Sequence, residues 1–296
     1  MKKDVAIFSA LLGAILLLGY GVYAYLYRND ERSPTYEKSV QEESTSQLEN
    51  DFIEVPVLTF INERNTEASQ KYTTDISYPS IALVGHSSLA KEANTVIKTF
   101  ALDMLREFQK NIEEDTVDLS NAGADSGSDF TMRSNPTLLS PTIVSLRFDS
   151  VEYFAGAAHP NHQTRVLNYD IETHRIISTL DLFASSSSAL PFLSTKTREN
   201  LRKRFTDVSP QEFEDTVVVG TAPTLENFES VAITPNGLLV IFNPYQVAPY
   251  ARGTQEVLIP LSEISSLLSE RVSKAISLAG QNFVEAIPEK PLQMEY

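Results

Sequence analysis

No cysteine occurs among the 296 residues, which excludes disulfides and thiol catalysis. It leaves the compartment open, because oxidising compartments permit disulfides without requiring them. Positive charge is scarce too: 24 Lys and Arg stand against 39 Asp and Glu, a net −15 at pH 7. That sign disfavours nucleic acid and anionic lipid surfaces, both of which need clustered Lys and Arg to displace counterions. It suits a cationic partner, or simply keeps an exposed domain soluble. There is no Gly-x-Ser-x-Gly elbow, no histidine set by motif against an acid, no helical Glu-x-x-His and no repeat of solenoid type. Without a complete catalytic or metal constellation, the sequence implies no reaction and no cofactor.

What is present is ordinary for a globular chain, 42% hydrophobic and 21% charged residues. The exception is residues 5–27, 23 positions without a charge. As a helix they would span about 35 Å, enough to cross a hydrocarbon core. Lys2 and Lys3 precede this run, Tyr20, Tyr23, Tyr25 and Tyr27 mark an interface, and polar sequence begins at Arg28. The expected arrangement is a cytoplasmic stub (1–4), an uncleaved transmembrane anchor (5–27), a charged, Ser-rich stalk (28–50) and an extracytoplasmic module. A short stub before the anchor and a large domain after it favour translocation of that domain.

Within the module, residues 52–61 and 72–78 read as strands joined by a polar turn, with Pro79 ending the second. Residues 88–113 read as a helix whose stripe Leu89, Ala93, Val96, Ile97, Phe100, Met104, Leu105, Phe108 and Ile112 needs a sheet to cover. The Gly-, Ser-, Asn- and Asp-rich stretch 118–135 reads as a surface loop, and the serines 185–188 as a shorter break. A hairpin is expected from 142–155 and 164–171, then a basic amphipathic helix at 188–205. A second hairpin, 230–234 and 238–243, turns about Pro235-Asn-Gly237, and strand 256–259 leads through Pro260 into a short helix. Strands in hairpins with helices between them predict an α+β fold, antiparallel sheets with helices on one face.

Three stretches together resemble a known family. The first is Asp75-Ile-Ser-Tyr-Pro79 followed by Ser88-Leu-Ala-Lys-Glu-Ala-Asn94. The second is Gly156-Ala-Ala-His159-Pro-Asn161 with Asn168-Tyr-Asp170 and Leu180-Asp-Leu-Phe183; the third is Phe242-Asn-Pro-Tyr245 with Ala248-Pro-Tyr250 and Gly253. In this order they are similar to the RsiV-like extracytoplasmic domain and the PdaC-type subdomain that precedes it. The resemblance implies a PdaC-type α+β subdomain over 51–140, an RsiV-like domain over 141–275 and a tail at 276–296. Ala157 and His174 depart from it, standing where the family favours glycine. It implies a binding or sensing module whose partner is a cell-wall glycan or a muramidase-type enzyme. Neither anti-sigma activity nor deacetylation carries over, because only residues 1–4 precede the expected anchor and nothing matches the catalytic domain.

The candidate ligand-binding residues are His159, Asn161 and His162 at the first hairpin's tip, with Tyr245 and Tyr250 in the proline-broken segment 243–253. Each has a plainer reading: the tip residues as backbone hydrogen-bonders, the tyrosines as packing anchors. His159 and His162 fall short of a metal site, for zinc usually takes three or four ligands. Asp149, Glu152, Asp170 and Asp181 are weighed as a glycoside-hydrolase pair, which requires a close separation that sequence does not supply. Lys196, Arg198, Arg202, Lys203 and Arg204 read as a solvated helix face. A wall-modifying hydrolase and a structural envelope subunit stay open beside the binding module.

Overall fold

The computed structural model describes residues 54–66, 72–114 and 127–282. The chain divides into two units, Met1–Asn50 and Asp51–Tyr296, and only the second contains described residues. The expected stub, anchor and stalk therefore lie outside the described residues, as do 115–126 and 283–296. No described helix is long and apolar enough to cross a membrane.

Among the described residues, nine strands form two sheets. The larger contains β1 (Val57–Asn65), β2 (Tyr72–Ala82), β3 (Ser128–Leu139), β4 (Ile143–Tyr153), β5 (Asn161–Asp170) and the short β6 (Arg175–Ile176), side by side in that order. Helix α1 (Ser87–Glu114) connects β2 to β3. This crossover makes β2 and β3 parallel, whereas the other neighbours in the sheet are antiparallel. The sheet is mixed, which corrects the expectation of antiparallel pairing alone; a long helical connection returns the chain to the same end of the sheet. The α1 stripe faces the sheet, burying Ala93, Ile97, Met104 and Phe108 against Ile76, Phe130, Phe148 and Leu167. Asn94 fixes the helix to the end of β2, accepting from Ile81 N at 2.7 Å and donating to Ile81 O at 2.9 Å.

Two further expectations need correction. Residues 128–135 are strand, not loop: Ser128, Phe130, Met132 and Ser134 are buried and alternate with half-buried polar neighbours. Polar composition hid a period of two. Pro79 also does not end β2, which continues to Ala82. Pairing with β3 stops at Ile76 and Met132, so the missing amide hydrogen at Pro79 interrupts no ladder on that side.

The second sheet, β7 (Val231–Thr234), β8 (Gly237–Phe242) and β9 (Gln255–Pro260), is antiparallel. Thr234 pairs with Gly237 across Pro235 and Asn236, the predicted turn. Gly237 has φ +141°, and a Cβ there would lie 2.1 Å from Ile259 O, so both conformation and space demand glycine. Helices α2 (Ser186–Arg204) and α3 (Glu270–Asn282) contribute Leu193, Leu201, Val272 and Ala275 to one core with Ile233, Val240 and Phe242. The serines read as a break begin α2. The basic residues of α2 are more engaged than a solvated face: Arg198 donates to Thr221 Oγ1 (2.8 Å) and Val218 O (3.0 Å), Arg202 lies 4.3 Å from the Phe213 ring, and Lys196 pairs with Glu263 at 2.7 Å.

A buried polar network joins the sheets. Ser145 Oγ donates to Asn168 Oδ1 (2.7 Å), and Asn168 Nδ2 donates to Val231 O (2.8 Å). Ile233 N donates to Ser145 Oγ at 3.1 Å. Side chains of β4 and β5 thus satisfy the backbone of β7 where no strand pairs with it, the condition for burying a sheet edge.

Candidate functional site

The β4–β5 hairpin ends in a tight turn, with Gly156 at φ +86° and Ala157 N donating to Phe154 O at 2.9 Å. Beyond it, Pro160 O is the hub of the tip. Tyr250 donates its hydroxyl to it at 2.7 Å, and His159 Nδ1 lies 2.9 Å from it. A carbonyl only accepts, so Nδ1 bears a proton, and Nε2 is left toward Tyr245. The Tyr245 hydroxyl stands 3.4 Å from that nitrogen.

The rings form a short ladder. His159 stacks on Tyr250 with centroids 4.0 Å apart, Tyr245 lies 5.5 Å from Tyr250, and His162 lies 6.0 Å from it on the inner side. Burial, then the neighbouring His159, lowers the pKa of His162, keeping it neutral at pH 7.

Tyr245 is held by a second loop. Pro244 occupies the second position of a turn closed by Gln246 N donating to Asn243 O at 3.1 Å, and Tyr245 occupies the third with φ +71°. That is a type II turn position which glycine fills without strain. A tyrosine there costs on the order of 1–3 kcal/mol. The surroundings enforce it. Asn243 Oδ1 accepts from Thr164 N (2.7 Å) and its Nδ2 donates to Thr164 O (3.2 Å), so the side chain mimics a strand beside β5. Gln246 Nε2 donates to Gly220 O (3.2 Å) and Asn227 O (3.0 Å). Tyr245 remains 64% exposed, with Val219 (63%) and Leu225 (50%) exposed on the segment to which Gln246 is tied.

Four of the five candidate residues thus converge: His159, His162, Tyr245 and Tyr250. Asn161 points to the other face of β5, where its Nδ2 is 3.4 Å from Glu152 Oε2. Sequence reasoning passed over Gly220, Asn227 and Gln246; the signal available was the tripeptide Asn243-Pro-Tyr245, whose turn chemistry requires something to hold a tyrosine at positive φ.

The carboxylates weighed for hydrolysis serve separate tasks. Asp149 accepts from Arg147 Nε (2.8 Å) and Thr164 Oγ1 (2.6 Å), Asp170 pairs with Arg271, and Asp181 accepts from Ser178 Oγ (2.6 Å). Among the described residues no group of three or more His, Asp and Glu stands together as metal ligands. Glu152 is buried, and desolvation raises its pKa. A raised carboxyl contributes stability below its ordinary range and loses it as pH rises through the shifted value. Glu152→Gln is therefore expected to stabilise the fold at pH 7 by a few tenths to about 1 kcal/mol, with the gain vanishing near pH 3. Urea unfolding at both pH values checks this, and equal stability at pH 7 would count against it.

Residues 180–262 match the family model described as "Protein of unknown function (DUF3298)". The chain carries a DUF3298 domain. That domain includes α2, β7 to β9 and the Asn243–Tyr250 segment, while His159 and His162 precede it, so the ring cluster forms across its boundary. The chain is 22% identical over 271 residues to the peptidoglycan-N-acetylmuramic acid deacetylase PdaC of Bacillus subtilis, covering 92% of this chain and 52% of that protein. It is 27% identical over 115 residues to the immunogenic protein MPT64 of Mycobacterium tuberculosis, 39% of this chain and 48% of the other. The chain spans about half the length of the curated relatives it matches. A crystal structure of a DUF3298 family member from Bacteroides fragilis shares the fold, with TM-score 0.51 and 17% identity over 75% of this chain and 98% of the other.

Proposed function

We propose that this chain is a membrane-anchored, extracytoplasmic module that binds or senses a component of the cell wall through the ring cluster at the hairpin tip. The carrying observation is Tyr245, a non-glycine residue at φ +71° that is strained and exposed at once. Contacts with Tyr250 and His159 alone do not explain a strained ring left mostly exposed, and strain kept for so little burial suggests a ligand contact. Stacked rings beside hydroxyl and imidazole groups suit a sugar, whose faces are apolar and whose edges hydrogen-bond. PdaC is named as an enzyme of peptidoglycan, and the RsiV-like resemblance points the same way. The uncharged run 5–27 supports the anchor.

A wall-degrading enzyme is the second partner this reading accommodates, since a net charge of −15 would steer a cationic muramidase. Calorimetric titration of the full chain with soluble peptidoglycan fragments and, separately, hen lysozyme at two salt concentrations divides the two. Salt-insensitive binding of fragments supports the glycan arm, and salt-sensitive binding of lysozyme supports the protein arm. Silence with both would overturn the reading. Steady release of products from the fragments would instead favour the hydrolase.

Tyr245→Gly separates stability from binding. Glycine relieves the positive φ, so the variant is expected to melt at or above the wild-type temperature, offset by the entropy of the freer unfolded chain. Ligand affinity is expected to fall about tenfold, the loss of about one stacked ring at roughly 1.4 kcal/mol. Thermal unfolding together with the fragment titration reads both quantities. A variant that binds as well as wild type would make Tyr245 a bystander.

A further inference from the structure

Away from the tip, a groove of about 630 Å³ lies between α1 and strands β1 and β2. Its origin is topological. Helix α1 packs against β2 and β5, and β1, the outermost strand, is exposed over most of its length. Ile61, Ile81 and Leu83 form an apolar floor, and Tyr78 donates its hydroxyl to Glu63 at 2.6 Å on one wall. On the opposite wall, Lys91 and Lys98 of α1 line the groove and are exposed. Seven positions along a helix separate their backbones by about 10.5 Å.

Within a chain of net charge −15, neither lysine makes an ion pair with a described residue, whereas Glu92, Asp103, Glu107 and Lys110 of the same helix all do. Two separated cations over an apolar floor, with a carboxylate across from them, complement a particular chemistry. A single-headed amphiphile would use one cation and want an enclosed tunnel. A dianionic ligand would use both lysines, and an amine on it would meet Glu63.

We infer that the groove binds a short acidic peptide with small apolar side chains, two of its carboxylates pairing with Lys91 and Lys98 and one of its amines with Glu63. This rests on the wall-facing reading, where such peptides crosslink glycan strands. It assigns the peptide to the groove and the sugar to the tip.

The test is titration of the full chain with the peptide L-Ala-γ-D-Glu-meso-diaminopimelyl-D-Ala. Saturable binding is expected, weakened about tenfold by Lys91→Glu or Lys98→Glu and about a hundredfold by both, with Lys110→Glu, outside the groove, as the unaffected control. Amidating the peptide's carboxylates should abolish binding. An unchanged affinity in the double variant, equal binding of the amidated peptide, no saturation, or tighter binding of dodecanoate would each overturn the inference. Sedimentation with intact sacculi keeps the two ideas apart. If sacculi bind and the peptide does not, the groove assignment alone fails; if neither binds, the glycan arm of the wall-facing reading fails with it.

Discussion

Replacing Gly220 with alanine is expected to destabilise the protein by about 3 kcal/mol or more and to disable the tip as well. The added Cβ would lie 1.8 Å from Gln246 O, 2.7 Å from Gln246 C and 3.0 Å from Val247 Cγ1. The first two atoms are backbone and cannot rotate away. Relief requires the Asn243–Gln246 turn to move, which pulls Gln246 Nε2 from Gly220 O and Asn227 O and slackens the frame that keeps Tyr245 at positive φ. In a domain of this size such a loss lowers the melting temperature on the order of 10 °C. Calorimetry measures the first effect and ligand titration the second. Gly220→Ser should behave like alanine, and a variant that melts within about 2 °C of wild type would mean that the two loops approach less closely than described.

Asn168→Ala carries a comparable penalty for a different reason. Asn168 is buried and its side chain serves three partners, accepting from Ser145 Oγ and, at 3.4 Å, from Ile233 N, and donating to Val231 O. Alanine leaves the Val231 carbonyl without its side-chain donor and the Ser145 hydroxyl proton without its acceptor in a dry interior, at about 1–3 kcal/mol for each unsatisfied group. A loss of about 2–4 kcal/mol in urea unfolding is expected. Asn168→Asp sharpens the test. An aspartate still accepts from Ser145 and Ile233 but, when ionised, has nothing to donate to Val231 O. Burial raises its pKa, so the variant's stability should be highest below the ordinary carboxylate range and decline as pH rises through the shifted value. A pH-independent deficit would show that the network contributes shape and no hydrogen bonding.

The two substitutions also show which features the sequence made legible. Helix α1 was readable because nine apolar residues recur at three and four, and one covered stripe is all a helix on a sheet requires. The Pro235-Asn-Gly237 turn was readable because its backbone conformation admits few residues. Strand β3 was not, since Ser128 and Ser134 are buried polar residues satisfied by partners elsewhere; Ser134 Oγ donates to Ser77 O at 3.0 Å, 57 positions away. The parallel pairing of β2 with β3 was hidden for a similar reason, because register between distant strands leaves no local trace. Four of the five candidate residues gather at the tip, although the sequence placed the histidines and the tyrosines in separate segments and gave no sign that they meet. The exception, Asn161, is explained by alternation along β5, which no residue type announces. Gly220 was illegible as well: its constraint is the closeness of Gln246, a contact between segments 26 residues apart.

The charge pattern adds a constraint on partners. Positive side chains of the described region are largely engaged: Arg147 with Asp149, Arg165 with Glu107, Arg271 with Asp170 and Lys196 with Glu263. This leaves the field of the module dominated by its acids, so neutral sugars approach freely and cations are drawn in, while polyanions are held off. Lys91 and Lys98, like Arg175, Lys203 and Lys274, make no ion pair with a described residue, and two cations confined to one groove suit a small acidic ligand better than an extended one.

The most direct measurement is sedimentation of the full-length chain with purified peptidoglycan sacculi, wild type beside Tyr245→Gly, with melting temperatures recorded for both. The account predicts saturable binding by wild type and about tenfold weaker binding by a variant that is at least as stable. Equal binding by the two proteins, or none by wild type, would contradict it.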